Sequence, residues 1–281
     1  MQQWLEDNKL PLGKWIKSLV DFLLDNGAFV FDAFADALKF LIVSMSDAML
    51  WVPALALIAL FAIGAWLTHR SLKLCAMIVL SLLLVINLGY WEETVRTFAL
   101  ILFATATCVI IGVPLGIAAA HRPWLNSALR PLLDLMQTIP TFVYLIPTMI
   151  MFGLGVVPGL ISTVIFAVPA PIRLTSLGIS GVPKPLIEAG EAFGATKSQI
   201  LWKIEIPYAM PNIMAGVTQC IMLSLSMVVI AAMVGAPGLG VPVLRALNTV
   251  NIAKGFEAGL AIVVVAILLD RVFRVRTRGE N

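Results

Sequence analysis

Charge is scarce in this 281-residue chain: Lys, Arg, Asp and Glu make up 12% of it, against 60% hydrophobic residues. A water-soluble domain with so few charges could not cover its surface, so the composition excludes an ordinary soluble globule and implies a polytopic membrane protein. Cys75, Cys108 and Cys220 lie inside apolar blocks, with no CxxC pair and no partnered His. Neither a disulfide framework nor a metal site is supported by that pattern. Histidine is limited to His69 and His121, each in a short polar stretch beside an arginine, and both read as solvated loop residues. No Ser/His/Asp set, HExxH string or paired intramembrane carboxylates can be found, so the chain is not expected to be an enzyme. A phosphate-cradling loop is missing as well. The nearest string, Gly190 through Thr196-Lys197-Ser198, lacks the glycine that must precede the lysine. Asp134, the acid nearest a span interior, reads as a helix N-cap, and residues 1–13 lack the layout of a signal peptide.

What the chain does have is a series of apolar blocks of bilayer length. About seven spans are expected, near 48–67, 73–91, 96–120, 134–153, 156–176, 210–234 and 255–272. Trp51, Trp66 and Tyr90-Trp91 fall near span ends, where interfacial aromatics sit. Ahead of them, Lys14 to Phe40 carries polar residues at three-and-four spacing, with Trp15, Leu19, Phe22, Phe29 and Phe34 on the apolar side. Asp25-Asn26-Gly27 reads as a break between two helical pieces. Residues 1–46 are therefore expected to form an amphipathic region at the interface or on the outer surface, not an eighth span. Residues 47–93 would add two spans.

Within the spans, Gly112 and Gly116 form a small-xxx-small pair that favours close helix contact. Pro114, Pro140, Pro147, Pro158, Pro169 and Pro171 are expected to interrupt helices, with the freed carbonyls satisfied by protein or by a wet cavity. Gln137, Thr138, Pro140 and Tyr144, with Pro169 and Pro171, are the candidates for a gate or pathway. Midplane ionisable groups of the kind a coupled carrier uses are lacking, and no inverted repeat is evident, which weighs against an ion-coupled secondary transporter.

The most polar interior stretch runs from 184 to 208. Leu186, Ile187, Ala189, Ala192 and Phe193 accompany Glu188 and Glu191 in a short helix, and Gly194 suits the C′ position that ends it. A second helical piece, Ser198 to Ile206, is expected to stop at Pro207 and Pro211. Glu188-Ala189-Gly190, then Gly194, then Ile204 and Ile206-Pro207, resemble the EAA signature of permease subunits in binding-protein-dependent ABC importers. The third signature position is usually Ala and here is Gly190. The resemblance covers about 94–273, leaving 274–281 as a basic tail. Within that superfamily, Gln137-Thr138-Ile139-Pro140-Thr141-Phe142-Val143-Tyr144-Leu145-Ile146-Pro147 and Val168-Pro169-Ala170-Pro171-Ile172-Arg173 are similar to permeases for glycine betaine, proline betaine and choline.

The resemblance implies an all-α, type I importer transmembrane domain in a bacterial inner membrane, acting by alternating access. It implies a homodimer of this chain, two cytoplasmic ATPase subunits that bind ATP and Mg, and an external substrate-binding protein, with no nucleic-acid partner. Glu188, Ala189, Gly190, Ala192, Phe193, Gly194 and Ala195 would couple to the ATPase. Gly235, Pro237, Gly238 and Gly240 resemble an outward-facing re-entrant segment that meets the binding protein. Choline ranks first as solute and glycine betaine second; another small amine or amino acid is the alternative. With the 184–208 loop placed in the cytoplasm, twelve basic residues fall inside and seven outside. That excess obeys the positive-inside rule with an outside N-terminus and a cytoplasmic C-terminus.

Overall fold

The computed structural model describes residues 12–273, and these are helical with short connections. The first helix, α1 (Leu12–Trp51), runs unbroken through Asp25-Asn26-Gly27, where a break was expected. The Asn26 side chain turns its donor back onto the Phe22 carbonyl at 2.8 Å, satisfying itself within the helix. Gly27 costs a helix interior only about 1 kcal/mol, and the Phe31 ring covers the space its missing side chain leaves. Ile42 is buried with Leu100, Ala104 and Val156, while Phe31 meets Phe152 edge-on at 5.8 Å. Phe22, Phe29 and Phe40 stay exposed, so one apolar side of α1 has no partner among the described residues.

The chain turns by 103° at Val52-Pro53 into α2 (Ala54–His69), which forms a hairpin with α3 (Leu72–Asn87). The expected span at 48–67 is corrected accordingly: residues 48–51 finish α1, and Pro53 sets the corner. Each hairpin helix has 16 residues, about 24 Å of rise against a hydrocarbon core of about 30 Å. Residues 1–11 and the 274–281 tail lie outside the described residues.

Among the described residues, four helical segments are long and apolar enough to cross a membrane: α4 (Trp91–His121), Val156–Ser180, Lys197–Ala232, and α13 (Ile252–Phe273). The count reaches six if each sharply bent helix pair is one span. The expected span at 134–153 is one such pair, α5 (Pro123–Thr138) and α6 (Thr141–Phe152), bent by 95°. Pro140 causes the bend, because it drives Ile139 into extended backbone (ψ 130°).

Pro169 marks a one-residue break at Val168, but the other prolines do not interrupt as expected. Pro114 and Pro147 sit inside continuous helices. Pro158 lies in the first turn of α7 (Val156–Ala167), and Pro169 and Pro171 lie in the first turn of α8 (Pro169–Ser180). First-turn amides have no intrahelical acceptor, so proline is tolerated there.

Helix α8 is the centre of the fold, clasped between α4 and α11 (Ile206–Ala232). Glycines make that clasp possible, as the Gly112/Gly116 pair promised. A Cβ on Gly112 would stand 2.8 Å from Pro171, and one on Gly116 would stand 2.6 Å from Thr175 and 2.7 Å from the Ile172 carbonyl. From the other side, a Cβ on Gly216 would come within 3.1 Å of the Pro171 backbone. Pro169 and Pro171 thus serve as packing surfaces for neighbouring helices.

Candidate coupling site and pathway

At one end of the bundle, Pro183 and Pro185 open α9 (Lys184–Ala192), a nine-residue helix with no buried residue. Proline in the first turn pre-sets the helical φ there and removes no needed donor. The helix closes with a Schellman motif. Gly194 adopts φ +75°, its N–H reaches the Glu191 carbonyl at 2.9 Å, and the Ala195 N–H reaches the Gly190 carbonyl at 3.0 Å. Thr196 and Gln199 then form a reciprocal capping box that starts α10 (Lys197–Ile200). Two well-capped ends back to back give the loop a defined hook without support from a large core.

The hook is seated by one close approach. Gly190 faces the molecule, and a Cβ there would lie 2.7 Å from Cδ1 of Ile204 and 3.6 Å from Cγ1 of Ile200. Glu188, Ala189, Ala192 and Gly194 point to solvent. Phe193 is 92% exposed and Trp202 67% exposed. Large aromatic groups held out on a structured loop are the composition of a protein-binding surface.

The second piece of the loop does not stop at Pro207 and Pro211. It passes through a π turn (Leu201–Glu205) into α11, giving one helical run from Lys197 to Ala232. A proline lacks an N–H and its ring crowds the carbonyl four residues back. Widening the preceding turn so that the Ile206 N–H reaches the Leu201 carbonyl accommodates both defects.

His121 is not a solvated loop residue. It ends α4, and its Nε2 lies 3.0 and 3.1 Å from the two carboxylate oxygens of Glu205, which is 6% exposed. Since a carboxylate only accepts, Nε2 carries the hydrogen. The pairing spans 84 residues, and its one sequence signal was a glutamate lodged between Ile204 and Ile206 in an apolar stretch. Asp134 is likewise not an N-cap. It lies inside α5 and accepts from the Arg173 guanidinium at 2.5 Å across to α8. With Asn126, Arg130 and Ser176 these two charges line a cavity of about 500 Å³.

At the Pro140 bend, the Tyr144 hydroxyl donates to the Met136 carbonyl at 2.7 Å, and Thr138 Oγ1 donates to the Leu135 carbonyl. The Met136 carbonyl, which Pro140 deprives of its amide partner, is therefore satisfied inside the chain. Gln137 is half-buried beside them, and Thr148 and Ser162 hydrogen-bond at 2.8 Å one turn further on.

The opposite end holds the 235–240 segment. Gly235 (φ +87°) is exposed and Pro237 half-buried, but Gly238 and Gly240 are buried. A Cβ on Gly238 would stand 2.4 Å from Thr97 Oγ1, and one on Gly240 2.2 Å from the Val228 carbonyl. The Leu239 N–H is held by Thr97 Oγ1 at 2.8 Å. Gly240 lets α12 (Gly240–Asn248) fold back against α11, and Gly238 lets the segment lie close on α4 at Thr97. Burial of Tyr90 at this end, with Glu257 and Glu93 nearby, pushes its phenol above the usual range.

A multi-helix membrane bundle with broken spans and a capped, protruding two-helix loop is the architecture of an importer's membrane subunit. The chain belongs to the family described as binding-protein-dependent transport system inner membrane component, whose model matches residues 112–278. It is 44% identical to the glycine betaine transport system permease protein OpuAB of Bacillus subtilis, over 94% of this chain and 93% of that one. Identity to the glycine betaine/carnitine transport permease protein GbuB of Listeria monocytogenes is also 44%, over 96% and 98%. For the glycine betaine/proline betaine transport system permease protein ProW of Escherichia coli it is 42%, over 97% and 78%. In fold, the chain matches the MetNI methionine ABC transporter in an inward-facing conformation, with TM-score 0.56 and 24% identity over 63% of this chain and 91% of that one.

Proposed function

We propose that this chain is the membrane subunit through which an ATP-driven, binding-protein-dependent importer moves a quaternary ammonium solute. The capped 184–195 hook carries the reading. It is a rigid, solvent-facing element seated on Ile204, with Phe193 held out for a partner. A cytoplasmic ATPase subunit, binding ATP and Mg, is the partner whose closure would push on Glu188, Ala189, Gly190, Ala192, Phe193, Gly194 and Ala195. The chain works as a homodimer with two such ATPases and an external binding protein. The N-terminus then lies outside, and the C-terminus lies in the cytoplasm.

Glycine betaine replaces choline as the leading solute, since three relatives spanning nearly the whole chain bear betaine names. A quaternary ammonium has no N–H to satisfy, which suits spans poor in carboxylates. The bent segment of Gln137, Thr138, Pro140 and Tyr144 is the part of the pathway that opens and closes. Gly235 and Pro237 remain the residues for the binding protein to meet. Residues 12–51 lie along the outer interface, and 94–273 form the permease core.

Vesicles holding this chain with its cognate ATPase and binding protein test the reading with labelled glycine betaine and choline. ATP-dependent uptake of either supports it. Uptake that runs without ATP overturns it in favour of a secondary carrier.

A further inference from the structure

Glu205 is the last residue of the π turn, one position after the isoleucine on which the hook rests. Its carboxylate is enclosed, and both oxygens meet the one ring nitrogen of His121. The charged residues beside the pair in sequence, Arg122 and Lys203, are exposed. A buried carboxylate is unfavourable unless paired, so a structure that keeps one here must keep His121 beside it. His121 in turn closes α4, the helix whose Gly112 and Gly116 grip α8.

We propose that the His121–Glu205 pair is a strut that carries displacement of the hook into α4, in parallel with the covalent run into α11. The proposal rests on the coupling role of the hook and adds a second load path. Consecutive residues divide the work: Ile204 receives the hook through Gly190, and Glu205 passes the movement sideways to α4. The two contacts differ in kind. Apolar contact at Ile204 resists being pushed together but offers little against separation. The imidazole–carboxylate bond resists separation, because pulling it apart strands a buried carboxylate. The hook can therefore pull on α4 as well as press, which a transporter returning to its starting state requires. His121 and Glu205 are positioning residues here and touch no solute.

The test measures solute moved per ATP hydrolysed in vesicles containing the whole transporter, with H121A, E205A, E205Q and H121A/E205A. The charge-assisted bond predicts a drop of about tenfold for each alanine variant, with the double variant no worse than either single one. E205Q keeps the acceptor oxygen and the shape, so it should retain more of the ratio than E205A. Should E205A or H121A fail to assemble, E205Q compared with H121A/E205Q decides, because neither buries an unpaired carboxylate: a lower ratio in H121A/E205Q supports the strut and an equal one overturns it. An unchanged ratio in the single variants overturns the strut, as do defects that multiply in H121A/E205A. Failure of the coupling reading looks different: wild-type uptake would not need ATP, or Gly194→Pro would transport normally.

Discussion

Gly194 offers the cleanest single-residue test of the hook, because its environment isolates one physical variable. Its φ is +75°, and nothing lies within 4 Å of the place a Cβ would occupy. A side chain therefore costs backbone strain and no steric repacking. Gly194→Ala should cost about 1–2 kcal/mol, the usual penalty for a left-handed L-residue. At 1.4 kcal/mol per factor of ten, uptake falls by about fivefold to thirtyfold if the closed hook is the working form. Asn tolerates this conformation better than most residues, so Gly194→Asn should fall between Gly and Ala. Gly194→Pro combines two losses. Its φ is fixed near −65°, and the N–H that reaches the Glu191 carbonyl is gone, for about 3 kcal/mol or more. Uptake of labelled glycine betaine in cells, normalised to the amount of protein in the membrane, should rank Gly, Asn, Ala, Pro. Normal uptake by the Pro variant would refute the reasoning. A ranking with Asn below Ala would show that space, and not φ, sets the requirement.

Other positions give further tests. Gly190→Ala should keep uptake within about twofold, because the atom it meets is the free end of Ile204 and can swing aside, whereas Gly190→Leu should unseat the hook and abolish uptake. Gly116→Ala meets the Ile172 carbonyl and Thr175, neither free to move, so it should cost about 1–3 kcal/mol and lower the unfolding temperature of the purified protein in detergent. Tyr144→Phe strands the Met136 carbonyl and should cost about 1 kcal/mol in the same melt, with no loss of membrane insertion. Glu188→Lys, a charge reversal on the exposed face of α9, should abolish uptake while the protein level stays normal; uptake at the unaltered rate would remove Glu188 from the partner surface.

Local chemistry was readable from the chain wherever neighbours in sequence decide the outcome. Gly194 announced a left-handed helix end, and Gly112 and Gly116 announced a close crossing. Features decided by distant partners were hidden. Nothing near Glu205 names His121, and nothing near Asp134 names Arg173. The prolines misled for a related reason. A proline breaks a helix only when the amide it lacks or the carbonyl it crowds has no other remedy. Pro140 has none within the helix, so the chain bends there. Pro169 and Pro171 occupy a first turn, and Pro207 is relieved by a widened turn before it. Asn26 and Gly27 look like turn formers in isolation, yet a side-chain bond to Phe22 and cover from Phe31 hold them helical. The burial of Gly238 and Gly240 was not legible, because a sequence does not distinguish a glycine that bends from one that lets another helix come near.

The unbroken run from Lys197 to Ala232 has a mechanical consequence. Its 36 residues make a rod of about 54 Å, so a tilt of about 5° applied at one tip sweeps the other by roughly 5 Å. Val234, just past the far tip, is tied to Gly155 through the Gly155 N–H at 2.8 Å. A small angular error at the hook is thus magnified where solute would enter, and the glycine-lined clasp around α8 is the bearing that keeps the lever from wandering.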